Sequence, residues 1–263
     1  MSMQPDIDQI LCLADTKWLL GHWHMAVMPN GKTFDDFTAI AALMQEELGH
    51  ARALFGIVES LEPKRASLEH ERTPQAIHSM VTLNVAPASW ADYVSSALLV
   101  DYATWETLAS YEHGSILPES LIRKIGQEER FHQLAFIGWV KSFSDGDRAA
   151  LRESFAGRYA DILRWFGPPS DVAPAVKTEG IVAAASARAR FIIAAKETFA
   201  ELVPPDALQP SLTWDDWDGS RRCPRGAAIP PQMWEMLIPT NEDARIARRK
   251  RETSDQDGFY ATG

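Results

Sequence analysis

Two stretches of this chain carry the same pair of side chains that can hold a metal ion. Glu47 and His50 form one Glu-x-x-His motif, Glu129 and His132 form the other, and the sequence has no third. Residues three apart in a helix lie on one face, so each motif presents a carboxylate and an imidazole together. Both motifs fall inside strongly apolar predicted helices, where a buried charge without a partner is costly. A metal ion is the usual partner; the alternative is that both pairs are surface or salt-bridged turns.

The motifs lie on two of four helices that the apolar period predicts. Proteins with a two-metal carboxylate centre in a four-helix bundle take Glu-x-x-His from two helices and one carboxylate from each of the others. Asp35 or Asp36 can cap the second helix, Ser89 or Pro87 opens the third, and Pro118 lies in the first turn of the fourth. The predicted helices are Ile7 to Val27, Asp35 or Asp36 to Glu62, Ser89 to Gly114, and Pro118 to Phe143.

The remaining segments complete an all-α fold, since no strand pattern is evident. A polar connection between the second and third helices, with one short helix from Pro74 to Val81, is typical of a crossover between two helical hairpins. The last sixty residues are rich in proline and charge, which indicates a wrapping tail. Further helices are predicted near Asp147 to Phe166, Ala183 to Leu202 and Gln232 to Arg248. We predict a ferritin-like four-helix bundle with a crossover connection, extra C-terminal helices and a long tail. Residues 1–204 form the helical domain, and residues 205–263 pack on the bundle or on a partner.

Composition excludes several classes of function. The formal net charge of −10 disfavours nucleic acid as a partner, because binding it needs a basic face. Cys12 and Cys223 are the only cysteines, which excludes a disulfide framework and a cysteine-ligated iron site. No stretch has the length of a membrane span and no targeting segment is evident, so we expect a cytoplasmic protein without a membrane partner.

Each of the two helices without the motif offers an aspartate. In an antiparallel helix pair, positions equally far from the connecting loop face each other. The first loop centres near residue 31, so Glu47 mirrors Asp15; the second centres near residue 116, so Glu129 mirrors position 103, next to Asp101. Both aspartates interrupt apolar stripes, as ligands of a buried centre would. The alternatives on the same helices are His22 and Glu106.

The charge of this ligand set suits two metal ions. Four carboxylates offset two divalent ions when both imidazoles are neutral. Mixed carboxylate and imidazole ligands favour iron, with manganese possible, whereas zinc prefers fewer ligands. Glu47 and Glu129 are also the catalytic candidates. The predicted metal ligands are Asp15, Glu47, His50, Asp101, Glu129 and His132.

A substrate pocket is predicted beside these ligands. Gly49 is a poor helix former, and its functional interpretation is room for dioxygen or substrate against the metals. Close helix packing is the alternative. Aromatic side chains near the motifs could line the pocket, although core packing is the ordinary explanation for them. The predicted pocket residues are Trp18, His22, Gly49 and Trp105.

The sequence resembles the ferritin-like subunits of the multicomponent phenylacetyl-CoA ring epoxidase. That family has a catalytic subunit that binds di-iron and a structural paralogue that has lost ligands. The short N-terminus, the Leu-Ala-Asp start and the tight first hairpin are similar to the structural subunit, whereas the intact first Glu-x-x-His is a feature of the catalytic one. The matching segments are Leu13-Ala-Asp15, Leu20-Gly21-His22, Leu48-Gly49-His50-Ala51-Arg52, Leu99-Val100-Asp101 and Glu129-Arg130-Phe131-His132, with looser similarity through Arg158-Tyr159 and Phe166 to Pro204.

The resemblance implies a non-haem di-iron oxygenase that activates dioxygen to oxygenate a small organic substrate. It implies the same six ligands, an aromatic acyl-CoA as substrate, epoxidation as the reaction, and a homo- or hetero-oligomer. Electrons would come from a separate reductase, because the chain has no flavin or nicotinamide motif. Two alternatives remain open: a metal-free structural subunit of a multicomponent oxygenase, and a ferritin-like ferroxidase or peroxide scavenger.

Overall fold

The computed structural model describes residues 4–65, 68–70, 72–111, 116–168 and 184–237. These ranges are helical along most of their length, and the prediction of an all-α bundle is confirmed. The α-helices in them are α1 Gln4–Val27, α2 Phe34–Leu61, α3 Trp90–Leu108, α4 Glu119–Lys141, α5 Asp145–Trp165, α6 Ala184–Phe199 and α7 Pro231–Leu237. Of the helices so described, none is long and apolar enough to cross a membrane.

Two helices, α1 and α3, form the interior of the bundle. Residues 10–21 of α1 and 91–104 of α3 are buried without interruption. α1 packs along α2, and α3 packs against α4, α5 and α6. α2 and α4 instead bury one face and expose the other. Any charged side chain within the buried stretches of α1 and α3 must therefore find its partner inside the protein.

Helices α2 and α5 both begin earlier than predicted, for the same reason. Thr33 caps α2: its hydroxyl accepts from Asp36 N, and Thr33 N donates to the Asp36 carboxylate. Ser144 and Asp147 form the same capping box at the start of α5. The predicted cap at Asp35 or Asp36 and the predicted start at Asp147 were therefore wrong. Each capping-box aspartate lies at the third helical position, not at the cap.

The crossover lies over α1 and is not helical in the way predicted. Instead of one helix from Pro74 to Val81, it has 3₁₀ turns at Pro74–Ala76 and Val81–Asn84. Between them, His78 N donates to the Asp15 carboxylate and Met80 N to the Thr16 hydroxyl. These backbone donors bond to side chains of α1, so they are not free to close a helical turn.

The other helix ends agree with the predictions to within a few residues, except for α3, which ends at Leu108. Gly114, the predicted stop, lies outside the described residues. Pro118 caps α4, and Ser89 caps α3 as predicted. The remaining differences are of the size that frayed helix ends produce.

The described part of the tail returns to the bundle. A two-residue antiparallel pair, β1 Trp217–Asp218 with β2 Cys223–Pro224, was not predicted. α7 packs against α1, where Trp234 lies 6.0 Å from Trp18 between ring centroids. The predicted helix from Gln232 to Arg248 is described only as far as residue 237. The domain division at residue 204 stays a prediction.

Candidate metal centre

Four buried side chains from three helices meet inside the bundle. α2 supplies Glu47, α3 supplies Asp101, and α4 supplies Glu129 and His132. One potential ligand atom from each lies within 4.8 Å of the others, and no side chain of the four is more than 1% exposed. Carboxylate oxygens with an imidazole nitrogen form a donor set suited to iron or manganese.

Helix periodicity directs the two motifs inward. On α2 and α4, the motif residues continue the apolar faces that pack into the core, so the carboxylate and imidazole point the same way as the surrounding hydrophobic side chains. The buried residues are Ile40, Leu43, Glu47, His50, Ala51, Leu54, Phe55 and Val58 on α2, and Ile125, Glu129, His132, Phe136 and Val140 on α4.

The two histidines are held by glutamates of the opposite helix. His132 Nε2 donates to Glu46 at 2.6 Å, and His50 Nε2 donates to Glu128 at 2.7 Å. With Nε2 engaged, Nδ1 is the nitrogen that each ring turns toward the cluster. Glu46 and Glu128 were missed by the sequence analysis. The available signal was the repeated Gln-Glu-Glu, in which the first glutamate of each pair directly precedes the motif.

The inward nitrogens also reach across the helix pair. His132 Nδ1 lies 3.3 Å from Glu47 Oε1, and His50 Nδ1 lies 3.4 Å from Glu129 Oε1. The two rings are stacked, with centroids 6.0 Å apart. Burial opposes a charge on His132, but the adjacent Glu47 carboxylate and the charges of Glu129 and Asp101 raise its pKa to about 10. A metal ligated by this ring would displace its Nδ1 proton.

Lys17 of α1 lies in the same cluster and was not predicted. Its Nζ is 3.1 Å from both carboxylate oxygens of Glu47 and 2.5 Å from Glu129 Oε1. The side chain is fully buried. Burial disfavours the charged ammonium, but Glu129 and Glu47 outweigh it and raise the pKa of Lys17. Burial likewise disfavours the charged carboxylates, and Lys17 holds the pKa values of Glu47 and Glu129 below their usual range. The sequence feature that could have revealed Lys17 is its position among the apolar residues of α1, where a charged side chain needs a buried partner.

Asp15, the predicted α1 ligand, faces away from this cluster. Its carboxylate forms a two-point ion pair with Arg72 of the crossover, in which Arg72 Nη2 lies 2.7 Å from Oδ2. The same oxygen accepts from His78 N at 2.6 Å. Mirror counting from the loop is accurate only to a residue or two, and two residues turn a helical side chain by about 200°. That rotation separates Asp15 from Lys17.

The alternative ligands and the predicted pocket residues are dispersed. His22 packs beside Trp18, with ring centroids 4.4 Å apart, and Glu106 pairs with Arg190 of α6. Gly49 is exposed, and within the described residues no atom lies near a Cβ built there, so neither interpretation of it holds. The remaining two pocket residues occupy separate places: Trp18 beneath α7, and Trp105 against Gly126 of α4.

Several polar atoms of the cluster lack hydrogen bonds. Among the described residues, neither oxygen of Asp101 has a partner, nor does Glu129 Oε2, nor Nδ1 of His50 or His132. Burial, together with the charges of Glu129 and Glu47, raises the pKa of Asp101 well above its usual value. Buried polar groups are normally satisfied, and an ion is one explanation for a set that is not. The residues present therefore fit a metal ion.

Comparison with known families agrees with this geometry. A family described as phenylacetic acid catabolic protein matches residues 1–221 of the 263. The chain belongs to this family. Membership confirms the resemblance seen in the sequence and links the chain to phenylacetate catabolism and to oxygenase-type activity. Family members are components of a multicomponent oxygenase, so partner subunits are expected for this chain. The search of curated proteins found no match.

Proposed function

We propose that the chain is a metal-dependent oxygenase subunit whose centre contains Glu47, Asp101, Glu129 and His132. One observation carries this proposal: the oxygens of Asp101, Glu129 Oε2 and His132 Nδ1 converge in a buried site without hydrogen-bond partners in the described residues. Iron is the proposed metal, because the donor set is mixed carboxylate and imidazole and the family is linked to oxygenase activity. The predicted ligand set for two iron ions includes Asp15, but Asp15 contacts Arg72 and His78 of the crossover instead.

The residues around this centre would have different roles in the proposed function. When bound, iron supplies the activation of dioxygen that the side chains alone cannot provide. Asp101, Glu129 and His132 would hold the ion, and Glu46 would orient His132 through its hydrogen bond to Nε2. The surrounding apolar helices exclude water, which strengthens every electrostatic interaction in the site. Glu47 and Glu129 remain the proposed catalytic carboxylates.

The substrate and partners are proposed from the family. An aromatic acyl-CoA is the proposed substrate, ring epoxidation the proposed reaction, and a separate reductase the electron source. The description of the family as phenylacetic acid catabolic proteins supports an aromatic substrate.

A metal-free structural subunit is the second candidate, and Lys17 favours it. Its ammonium already contacts both motif glutamates, so the site has an internal cation before any metal binds. A subunit of this kind would hold a catalytic paralogue and would need no ion. The oxygens of Asp101 argue against this candidate, because they are buried without hydrogen-bond partners among the described residues and a bound ion would satisfy them.

Anaerobic titration with ferrous iron separates the two candidates. The wild-type chain is expected to bind iron, and Asp101→Asn is expected to weaken binding at least tenfold by removing a ligand charge. Glu106→Gln is the matched control: the residue is also acidic and on α3, but it pairs with Arg190. Equal binding by all three proteins would contradict the proposed ligands. No binding by the wild type in excess iron would favour the structural subunit.

A test of the reaction uses iron-loaded protein, a chemical reductant and phenylacetyl-CoA under heavy-isotope dioxygen. The proposed function predicts labelled oxygen in the thioester product. Iron binding without labelled product, both alone and with a reductase and partner subunits, would restrict the proposal to metal binding.

A further inference from the structure

The side chain that α1 contributes to the centre is a cation, although a two-metal centre of this architecture takes a carboxylate from each helix that lacks the motif. α2 and α4 carry the Glu-x-x-His motifs, α3 supplies Asp101, and α1 supplies Lys17. We propose that the Lys17 ammonium takes the place of the second metal ion, so that the centre binds one divalent ion per chain. This inference rests on the proposed metal-binding function.

The contacts of Lys17 are those of an ion between two carboxylates. An ammonium has three hydrogens to donate, and three carboxylate oxygens surround Nζ: both oxygens of Glu47 and Oε1 of Glu129. The glutamates come from different helices, so one positive charge joins α2 to α4. A divalent ion shared by the same carboxylates would compete with Nζ for the same oxygens.

Four ligand atoms of the centre have no hydrogen bond to this ammonium or to any other described group. They are the two oxygens of Asp101, Glu129 Oε2 and His132 Nδ1. His50 is not part of this group: the four side chains whose ligand atoms lie within 4.8 Å of one another include His132 but not His50, and His132 Nδ1 also lies 3.8 Å from Asp101 Oδ2. The two Glu-x-x-His motifs are thus equivalent in sequence but not in what they leave free.

Charge gives the same stoichiometry. Asp101, Glu47 and Glu129 carry three negative charges when ionised, and the Lys17 ammonium offsets one. A single divalent ion neutralises the remainder, with both imidazoles neutral. A second divalent ion would leave two uncompensated positive charges in a fully buried site, where the desolvation cost is large.

The test compares metal stoichiometry in the wild type and two charge-reversed variants. Each protein is saturated anaerobically with Fe²⁺ or Mn²⁺, freed of unbound ion, and analysed for metal per chain. We expect one ion in the wild type and two in Lys17→Glu, which removes the ammonium and supplies the missing carboxylate. Lys32→Glu is the matched control, since it makes the same charge change at an exposed lysine that pairs with Asp147. It should bind one ion.

The outcomes separate this inference from the proposed function. Two ions in the wild type would overturn the role of Lys17 but leave metal binding intact. One ion in Lys17→Glu would also overturn that role, and a wild type that binds none would overturn both ideas. If Lys17→Glu does not fold, the paramagnetic resonance spectrum of wild-type protein in excess Mn²⁺ decides. An isolated ion supports the inference, and a spin-coupled pair contradicts it.

Discussion

The imidazole of His132 donates to the carboxylate of Glu46 across 2.6 Å, from one motif helix to the other. The reciprocal bond runs from His50 to Glu128. Each histidine therefore has its cluster-facing nitrogen on one side and a carboxylate from the opposite helix on the other. This arrangement fixes the ring orientation before any ligand arrives, and it makes α2 and α4 depend on each other for the geometry of the site.

Removing either of these outer carboxylates should weaken metal binding without removing a ligand. Glu46→Gln and Glu128→Gln are each expected to lower metal affinity about 10–100-fold, because an amide accepts a weaker hydrogen bond from the imidazole. Isothermal titration with Mn²⁺ measures the change. Glu153→Gln, at an exposed position of α5, is the control and should keep wild-type affinity. Unchanged affinity in both outer variants would show that these bonds do not tune the site.

Asp15 and Asp101 should respond oppositely to the same substitution. Asp15→Asn breaks the ion pair with Arg72, whose side chain is only 9% exposed, and should lower the free energy of unfolding by about 3–5 kcal/mol. Asp101→Asn removes a carboxylate that has no hydrogen-bond partner among the described residues and only a 3.8 Å contact with His132 Nδ1, so the metal-free protein should lose little or no stability.

Urea unfolding and metal titration of the same two variants complete that comparison. Metal affinity should fall in Asp101→Asn and stay within about twofold of wild type in Asp15→Asn. Loss of metal binding in a folded Asp15→Asn protein would restore Asp15 as a ligand and remove the present assignment.

The limits of the sequence prediction follow from how each residue was found. Helical periodicity predicts that both motifs face the core, and all four side chains are buried, because a 3.6-residue repeat determines which helix face packs inward. Mirror counting gives position 103, and Asp101 is the nearby residue whose carboxylate can bind a metal. Mirror counting pairs Asp15 with Glu47, and a search for carboxylate ligands does not point to a cation such as Lys17 inside the site. Glu46 and Glu128 belong to contacts between helices, which a pattern within one helix does not reveal.

The loop prediction failed because backbone groups of the crossover bond to distant side chains, whereas the cap predictions failed at local capping boxes. The crossover around His78 follows hydrogen bonds to α1 side chains that lie more than sixty residues earlier in the chain. Local propensity has no access to such partners. The capping boxes of α2 and α5 were readable in principle, since Thr33 and Ser144 each precede an aspartate by three residues.

Two glycines should give opposite results when replaced by alanine. A Cβ at Gly126 would lie 2.3 Å from the indole of Trp105, so Gly126→Ala must displace a rigid ring and should cost about 1–3 kcal/mol. Gly49 has open space around its Cβ direction, and Gly49→Ala should stabilise α2 by about 0.5–1 kcal/mol. Urea unfolding of the metal-free proteins measures both. Destabilisation by Gly49→Ala would indicate a close approach to this surface by a partner or ligand.

His24 should make the protein sensitive to mild acid. Burial, partly offset by Glu47, lowers the pKa of this histidine from 6.5 to about 3. Its Nδ1 lies 2.8 Å from the Tyr93 hydroxyl, and Nε2 has no partner among the described residues. Between about pH 6.5 and 3, His24 is protonated in the unfolded chain but stays neutral in the folded chain. The free energy of unfolding therefore falls as the pH is lowered through this range.

The measurement for His24 is the pH dependence of urea unfolding in the wild type and in His24→Gln. Acidic residues titrate in both proteins, so the difference between them isolates the histidine. The free energy of unfolding of the wild type should fall relative to that of His24→Gln by at most about 1.4 kcal/mol for each pH unit below 6. Parallel pH profiles would show that His24 is protonated at little cost in the folded state.

The cross-helix hydrogen bonds also set when a growing chain can first assemble its centre. Glu47 and Glu129 are separated by 82 positions, since 129 less 47 is 82. Synthesis at about 5–20 residues per second places the second motif roughly 4–16 seconds behind the first. During that interval only the metal-ligand side chains of the first hairpin have been made, and His50 does not yet have its hydrogen-bond partner Glu128. A ribosome-bound nascent chain that ends before α4 should therefore hold no ion, and uptake should begin only after the second hairpin has emerged and docked.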